Sequence, residues 1–169
     1  LAILAVVSEI PFNLENGAVF DPARQNVLFT FCLALLTLRG LEALGRERGF
    51  GRWAGCGLVL AAGFAAGELL RTDYGGWGVV TVALLQLCRD GKYAKLWLLL
   101  AMAAVNGLGM GSLTMPVFGG EMPIQIFAVA ALPVIWLYNG QAGPKGLRRA
   151  FYVFYPAHLL VLEGIRTLT

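Results

Sequence analysis

Apolar residues along the chain form about seven long blocks, separated by short links that are rich in charge, glycine and proline. A helix needs about 20 residues to cross about 30 Å of hydrocarbon, and the fifth and sixth blocks meet that length easily. The pattern predicts an all-α, polytopic integral membrane helix bundle, with a single transmembrane domain over residues 1–169. The blocks cover residues 1–12, 25–44, 53–70, 74–88, 96–115, 122–140 and 148–165.

The first block is too short to be a complete span. It begins LAILAVVSEIPF, with no Met, no basic flank and no cleavage site, so it does not have the pattern of a signal peptide. We expect it to be the truncated second half of a helix. The chain would then be the C-terminal part of a longer protein that lacks its first helices.

The composition distinguishes a membrane protein from a soluble one. Hydrophobic residues make up 58% of the chain and charged residues 14%, and the mean hydropathy is +0.71. Soluble domains carry about 25% charged residues. An unusually apolar soluble helical protein is the alternative, and the deficit of charge argues against it.

The basic residues predict an orientation. Counted from link to link and through the C-terminal tail, they number 1, 4, 1, 3, 0, 3 and 1, which accounts for all 13. Cytoplasmic loops carry the excess of Lys and Arg, so the loops near residues 39–52, 89–95 and 141–149 are expected in the cytoplasm. Orientation explains the net charge of +3, and no nucleic-acid partner is expected.

Cysteine and glycine indicate packing rather than chemistry. Cys32, Cys56 and Cys88 lie in three different blocks, so neither a disulfide framework nor a metal site is expected. Gly63 and Gly67 have the small-xxx-small spacing that permits close approach of helices. The stretch NGLGMGS, residues 106–112, is interpreted as a loosened helix end.

Polar residues concentrate in two links on the predicted outer side, SEIPFN (8–13) and GELLRTDYG (67–75). Ionisable residues near membrane depth are costly and mark a functional site by default. The alternative is an interfacial ion-pair network that braces two short helical hairpins. The candidates are Glu9, Asn13, Glu68, Arg71, Asp73 and Tyr74.

Two further polar stretches lie elsewhere. His158 is the only histidine and falls about ten residues inside the seventh block. Pro156 frees the carbonyl of Tyr152, and Tyr155 shares a helix face with His158, so these side chains are expected to line a polar pocket. Histidine can carry a proton near neutral pH; a structural hydrogen bond at the kink is the alternative. The stretch YNG adds Tyr138 and Asn139 as binding candidates.

Four motifs carry a resemblance to a known family: LAVVSEIPFNL, QNVLFT, RTDYGGWGV and WLYNGQAGPKGLRRAFYVFYPAHLLVL. In this order and spacing they closely resemble the TraX family of bacterial integral membrane proteins, whose namesake is the F-pilin acetylation protein. The resemblance runs from the first residue to about residue 162. It implies a multi-pass protein of the inner membrane that transfers acetyl from acetyl-CoA to an exported pilin-like peptide amine or an envelope glycan.

The resemblance also suggests roles. Arg71 would orient the acceptor or the thioester oxygen, and Glu9 or Asp73 would take up a proton. Three residues of the last inner loop, Lys145, Arg148 and Arg149, would suit the phosphates of coenzyme A, as they would suit anionic lipid headgroups. Family members usually begin with two further helices, the first with an Asp-His pair. Those helices are absent here, so part of the catalytic site is expected to be missing.

Two other classes of function fit the same residues. Polar clusters at an outer mouth and one histidine within the membrane also suit a small transporter or proton-coupled channel. A non-catalytic assembly factor for pili or envelope is the third possibility. Acetyl-CoA binding would favour the enzyme, and flux across liposomes would favour the transporter.

Overall fold

The computed structural model describes residues 1–45, 50–89, 91–110, 113–117, 119–141 and 143–168, without the side chains of residues 145, 146, 148, 149 and 151. The described part is mostly helical, which confirms the predicted helical class. A π-helical turn, Val105–Gly109, extends α5, and a 3-10 helix, Ile124–Ala131, leads into α6. The elements are α1 (Ala2–Glu15), α2 (Val27–Leu44), α3 (Phe50–Leu69), α4 (Gly75–Leu87), α5 (Ala94–Ala104), β1 (Thr114–Val117), β2 (Gly120–Pro123), α6 (Leu132–Leu137) and α7 (Lys145–Arg166).

Helices α2, α3 and α4 pack against one another through small residues. A Cβ atom added to Gly67 would lie 2.7 Å from the backbone of Gly75 and Gly76 at the start of α4. At Gly63 it would collide with Thr37 of α2. The predicted close approach of helices at the two α3 glycines is therefore confirmed.

Asn26 joins α1 to the start of α2. The side chain is fully buried, and its Oδ1 accepts the backbone N–H of Leu28 at 3.0 Å, which caps α2. Its Nδ2 donates to the carbonyl of Ala5 at 2.8 Å and to the carboxylate of Glu9. Helix α1 also packs along α7, so α1 connects the α2–α4 group to the C-terminal helix.

The fifth and sixth predicted spans are wrong in their details. Helix α5 loosens into the π-helical turn within the glycine-rich stretch, as expected, but an antiparallel hairpin then pairs Thr114 with Pro123. The sixth block is a 3-10 helix followed by a helix of six residues. Proline explains part of the break, because Pro116 and Pro123 lack the N–H that a continuous helix needs.

Among the described residues, one helix, α2, is both long and apolar enough to cross a membrane. Three apolar helical stretches are shorter, at Gly75–Leu87, Ala94–Gly109 and Ile124–Leu137. The arrangement of seven membrane spans therefore stays a prediction.

Candidate functional site

A cavity of about 640 Å³ opens between α1, α2, α4, α5, the 3-10 helix and α7; we call it the central cavity. Its walls combine apolar side chains with an unusual number of polar ones for so apolar a chain. Four of the predicted site residues, Asp73, Tyr74, Tyr155 and His158, line it together. The other polar lining residues are Glu15, Asn16, Arg24, Thr30, Thr81, Asn106 and Gln125.

Asp73 is held in place by a short backbone bridge. Its N–H donates to the carbonyl of Gln25 at 2.8 Å, and the N–H of Gln25 donates to the carbonyl of Arg71 at 3.0 Å. The bridge pairs Gln25 with Thr72 in parallel. As a result, the links before α2 and before α4 lie side by side. Arg24 then reaches the Asp73 carboxylate, with 3.2 Å between Nη2 and Oδ1.

Tyr155 and His158 come from α7, with their ring centres 5.3 Å apart. His158 Nδ1 lies 3.1 Å from the carbonyl oxygen of Phe154, and its ring stacks on that of Phe154 at 5.1 Å. A carbonyl only accepts, so Nδ1 must carry the proton in the neutral ring and Nε2 must hold the lone pair.

Glu9 and Asn13 lie outside the central cavity. One oxygen of the Glu9 carboxylate accepts from Asn26. Its other oxygen, Oε1, is buried, and so is Oδ1 of Asn13; neither has a hydrogen-bond partner within the described part of the chain. The contact of Glu9 with Asn26 connects α1 to the start of α2 through a hydrogen bond to a neutral amide, whereas the bracing alternative expected ion pairs.

Glu68 and Arg71 do not join Asp73 in the central cavity either. The Glu68 carboxylate accepts the N–H of Gly76 at 2.8 Å and so caps the start of α4. Arg71 lines a second cavity of about 540 Å³, the lateral cavity, between the link before α2, the first two turns of α2, the end of α3 and the link that follows α3. Glu68, Arg71 and Asp73 are close in sequence but lie at three separate positions: the start of α4, the lateral cavity and the central cavity.

Tyr138 and Asn139 form an exposed turn of their own. The Tyr138 hydroxyl donates to the carbonyl of Gln141 at 3.0 Å, and Asn139 Oδ1 accepts the N–H of Gln141 at 3.0 Å. Neither lines the central cavity. The candidates for coenzyme A binding lie at the start of α7. They are Lys145, Arg148 and Arg149, and the structure does not describe their side chains.

Comparison with known families tests the family resemblance that the four sequence motifs suggest. The family model described as TraX protein matches residues 1–166. The chain belongs to the TraX protein family. No curated protein and no solved structure gives a significant match.

Sequence analysis of this TraX-family chain missed several residues of its central cavity. Arg24 stood out only as the single basic residue of the first outer link. Asn106 is buried and donates to the carbonyl of Met102 at 2.9 Å; it was hidden within a glycine-rich stretch. No feature of the sequence distinguished Gln125 as a candidate site residue. In the described ranges no three His, Cys, Asp or Glu side chains are grouped to hold a metal ion.

Proposed function

We propose that this TraX-family protein is a membrane-embedded acyltransferase that moves acetyl from acetyl-CoA to a pilin-like peptide amine or an envelope glycan. The observation that carries the proposal is the central cavity, in which His158 of α7 and the Arg24–Asp73 pair line one space. Its volume of about 640 Å³ lies within the range of about 300–1,000 Å³ that is typical of small-molecule sites. Membership of the TraX family supports the same chemistry.

The reaction requires one proton acceptor and one group that stabilises negative charge. A neutral amine or hydroxyl attacks the thioester carbonyl, a C–N or C–O bond forms, and the C–S bond breaks. His158 takes the nucleophile's proton at Nε2 and passes it to the departing thiolate. Arg24 faces the oxygen on which negative charge develops. Asp73 orients the attacking group by accepting a hydrogen bond from it.

The surface of the helices supports placement in the inner membrane with several passes. Large apolar side chains point outward over most of their length, which is unusual for a soluble protein and suits contact with lipid. The alternation of basic residues supports cytoplasmic loops near residues 39–52, 89–95 and 141–149. Exposed examples on α1, α2 and α7 are Ile3, Val6, Ile10, Leu35, Leu36, Val153, Phe154 and Val161.

The donor would approach from the cytoplasmic side. Lys145, Arg148 and Arg149 follow Pro144 at the start of α7, where cationic side chains would attract the phosphates of coenzyme A. The central cavity would receive the thioester arm and the acceptor, whereas the nucleotide would remain outside it. The acceptor would enter from the opposite face, near the Arg24–Asp73 pair.

Blocking the central cavity tests the proposal. The full-length protein in detergent is mixed with acetyl-CoA labelled in the acetyl group and a synthetic peptide with a free amine. We expect labelled peptide from the wild type and at least a tenfold loss in Ala128→Trp, because Ala128 lines the cavity. Ala130→Trp is the matched control, since Ala130 is exposed on the same 3-10 helix.

A transporter or proton-coupled channel is the second candidate, favoured by the ionisable side chains that line the central cavity. The same variants distinguish the two functions. If liposomes that contain the protein show a solute- or proton-dependent flux, if Ala128→Trp stops this flux and if no labelled peptide forms, the protein is a transporter and not an acyltransferase. Absence of acetyl-CoA binding, of transfer and of flux would leave a non-catalytic assembly factor.

A further inference from the structure

The lateral cavity has a composition different from that of the central cavity. Its walls are mostly apolar and come from one face of α2, represented by Phe29 and Leu33, and from the end of α3 at Leu69 and Leu70. Among the described residues that line it, Arg71 alone is charged. The cavity is therefore an apolar groove of about 540 Å³ with a guanidinium at one end.

Arg71 is available to a ligand. It is exposed, and within the described ranges its side chain forms no ion pair or hydrogen bond, in contrast to Arg24, which is paired with Asp73. Its backbone is held in the left-handed region, at φ 51°. Non-glycine residues are uncommon there, and hydrogen bonds from Arg71 to Glu68 and from Gln25 to Arg71 stabilise that conformation.

The position of the groove indicates which ligand it would take. It lies along the first two turns of α2, the helix that is long and apolar enough to cross a membrane. The end of such a helix lies at the level of the lipid headgroups. Leu69, which lines the groove, is 81% exposed, so the groove suits acyl chains better than water.

We propose that the lateral cavity binds an anionic phospholipid. The guanidinium of Arg71 contacts the headgroup phosphate, and an acyl chain lies in the groove between α2 and α3. Arginine suits this contact because its planar fork matches the geometry of phosphate. The inference rests on the proposed placement in the membrane, and it does not depend on acyl transfer.

Thermal unfolding in detergent tests the site with phosphatidylglycerol, phosphatidylcholine and inorganic phosphate as three separate probes. We expect phosphatidylglycerol to raise the unfolding midpoint of the wild type by at least about 5 °C, and the other two probes to raise it much less. Arg71→Asn should lose most of this shift. Asparagine removes the charge but tolerates the left-handed backbone, so the variant should still fold.

Arg24→Gln is the matched control, because it removes the same charge from the neighbouring link and should keep the lipid shift. An equal shift in Arg71→Asn, an equal shift from phosphatidylcholine, or a full shift from inorganic phosphate alone would each overturn the lipid site. Failure of the acyltransferase would appear separately, as absence of labelled peptide from a protein that still responds to lipid.

Discussion

The central and lateral cavities lie on either side of the same backbone bridge, yet they differ in the charged side chains that line them. On one side the Asp73 carboxylate is paired with Arg24 and shares a space with His158. On the other, Arg71 is the one charged residue in the described lining of the groove. The bridge of Gln25 and Thr72 separates them. Arg71 and Asp73, the two neighbours of Thr72 in the chain, therefore line different cavities.

The difference arises in the backbone between α3 and α4. Arg71 and Gly75 both adopt positive φ, at 51° and 53°, so the chain turns sharply twice within five residues. The turns place the carbonyl of Arg71 and the N–H of Asp73 against Gln25. Asp73 is therefore paired with Arg24 of the link before α2, although Arg71 is nearer to it in sequence.

The largest expected effect is on the central cavity. His158→Gln should lower the rate of acetyl transfer by about 100-fold or more. Glutamine can still donate to the carbonyl of Phe154, but it has no lone-pair nitrogen to take up a proton. The rate is measured with labelled acetyl-CoA and a peptide acceptor, and circular dichroism checks the fold.

A variant of the lateral cavity provides the contrast. Cys32→Ala should leave the rate of acetyl transfer within about twofold of the wild type, because Cys32 lines the lateral cavity and not the central cavity. If His158→Gln kept most of the wild-type rate, histidine would be a structural brace of α7. The two cavities would then no longer differ in catalytic role.

A smaller effect is expected on the packing that holds the two cavities apart. Gly67→Ala should destabilise the protein by about 1–3 kcal/mol, because the new Cβ atom would lie 2.7 Å from the backbone of Gly75. Gly57→Ala is the control in the same helix, since nothing lies within 4 Å of its added Cβ. Thermal unfolding in detergent measures both changes.

Equal stability of the two alanine variants would contradict the close contact between α3 and α4. With Gly67→Ala, the link that carries Arg71 and Asp73 should also shift. We therefore expect that variant to lose both acetyl transfer and the lipid response, whereas Gly57→Ala keeps both.

Local features of the fold were predictable where one physical cause dominates. The apolar blocks gave the positions of α2, α3 and α4, and small residues gave the close packing at Gly63 and Gly67. The interruption at Thr114–Pro123 was missed, because apolar composition alone does not distinguish a long helix from a hairpin followed by a 3-10 helix. Pro116 and Pro123 were the available signals.

The site was predictable only in part, for a different reason. Tyr155 and His158 share a face by helical spacing alone, so local geometry sufficed. The partnership of Arg24 with Asp73 spans 49 residues of chain and depends on the bridge at Gln25. Sequence spacing contains no information about such a contact. The hydrogen bond between Asn26 and Glu9 could not be predicted for the same reason.

The smallest expected effect isolates the backbone at Arg71. Arg71→Gly should be more stable than Arg71→Ala by about 0.5–1 kcal/mol, because both remove the side chain and only glycine adopts positive φ without steric cost. The comparison is made by thermal unfolding in detergent without added lipid. Both variants should lose the phosphatidylglycerol response.

Acetyl transfer should stay near the wild-type rate in both variants, because Arg71 lines the lateral cavity and not the central one. Equal stability of the glycine and alanine variants would argue against the left-handed conformation at this position. Loss of transfer in both, with intact folding and acetyl-CoA binding, would move Arg71 back to the catalytic site. The separation of the two cavities would then be structural but not functional, since a guanidinium outside the central cavity would still govern the reaction within it.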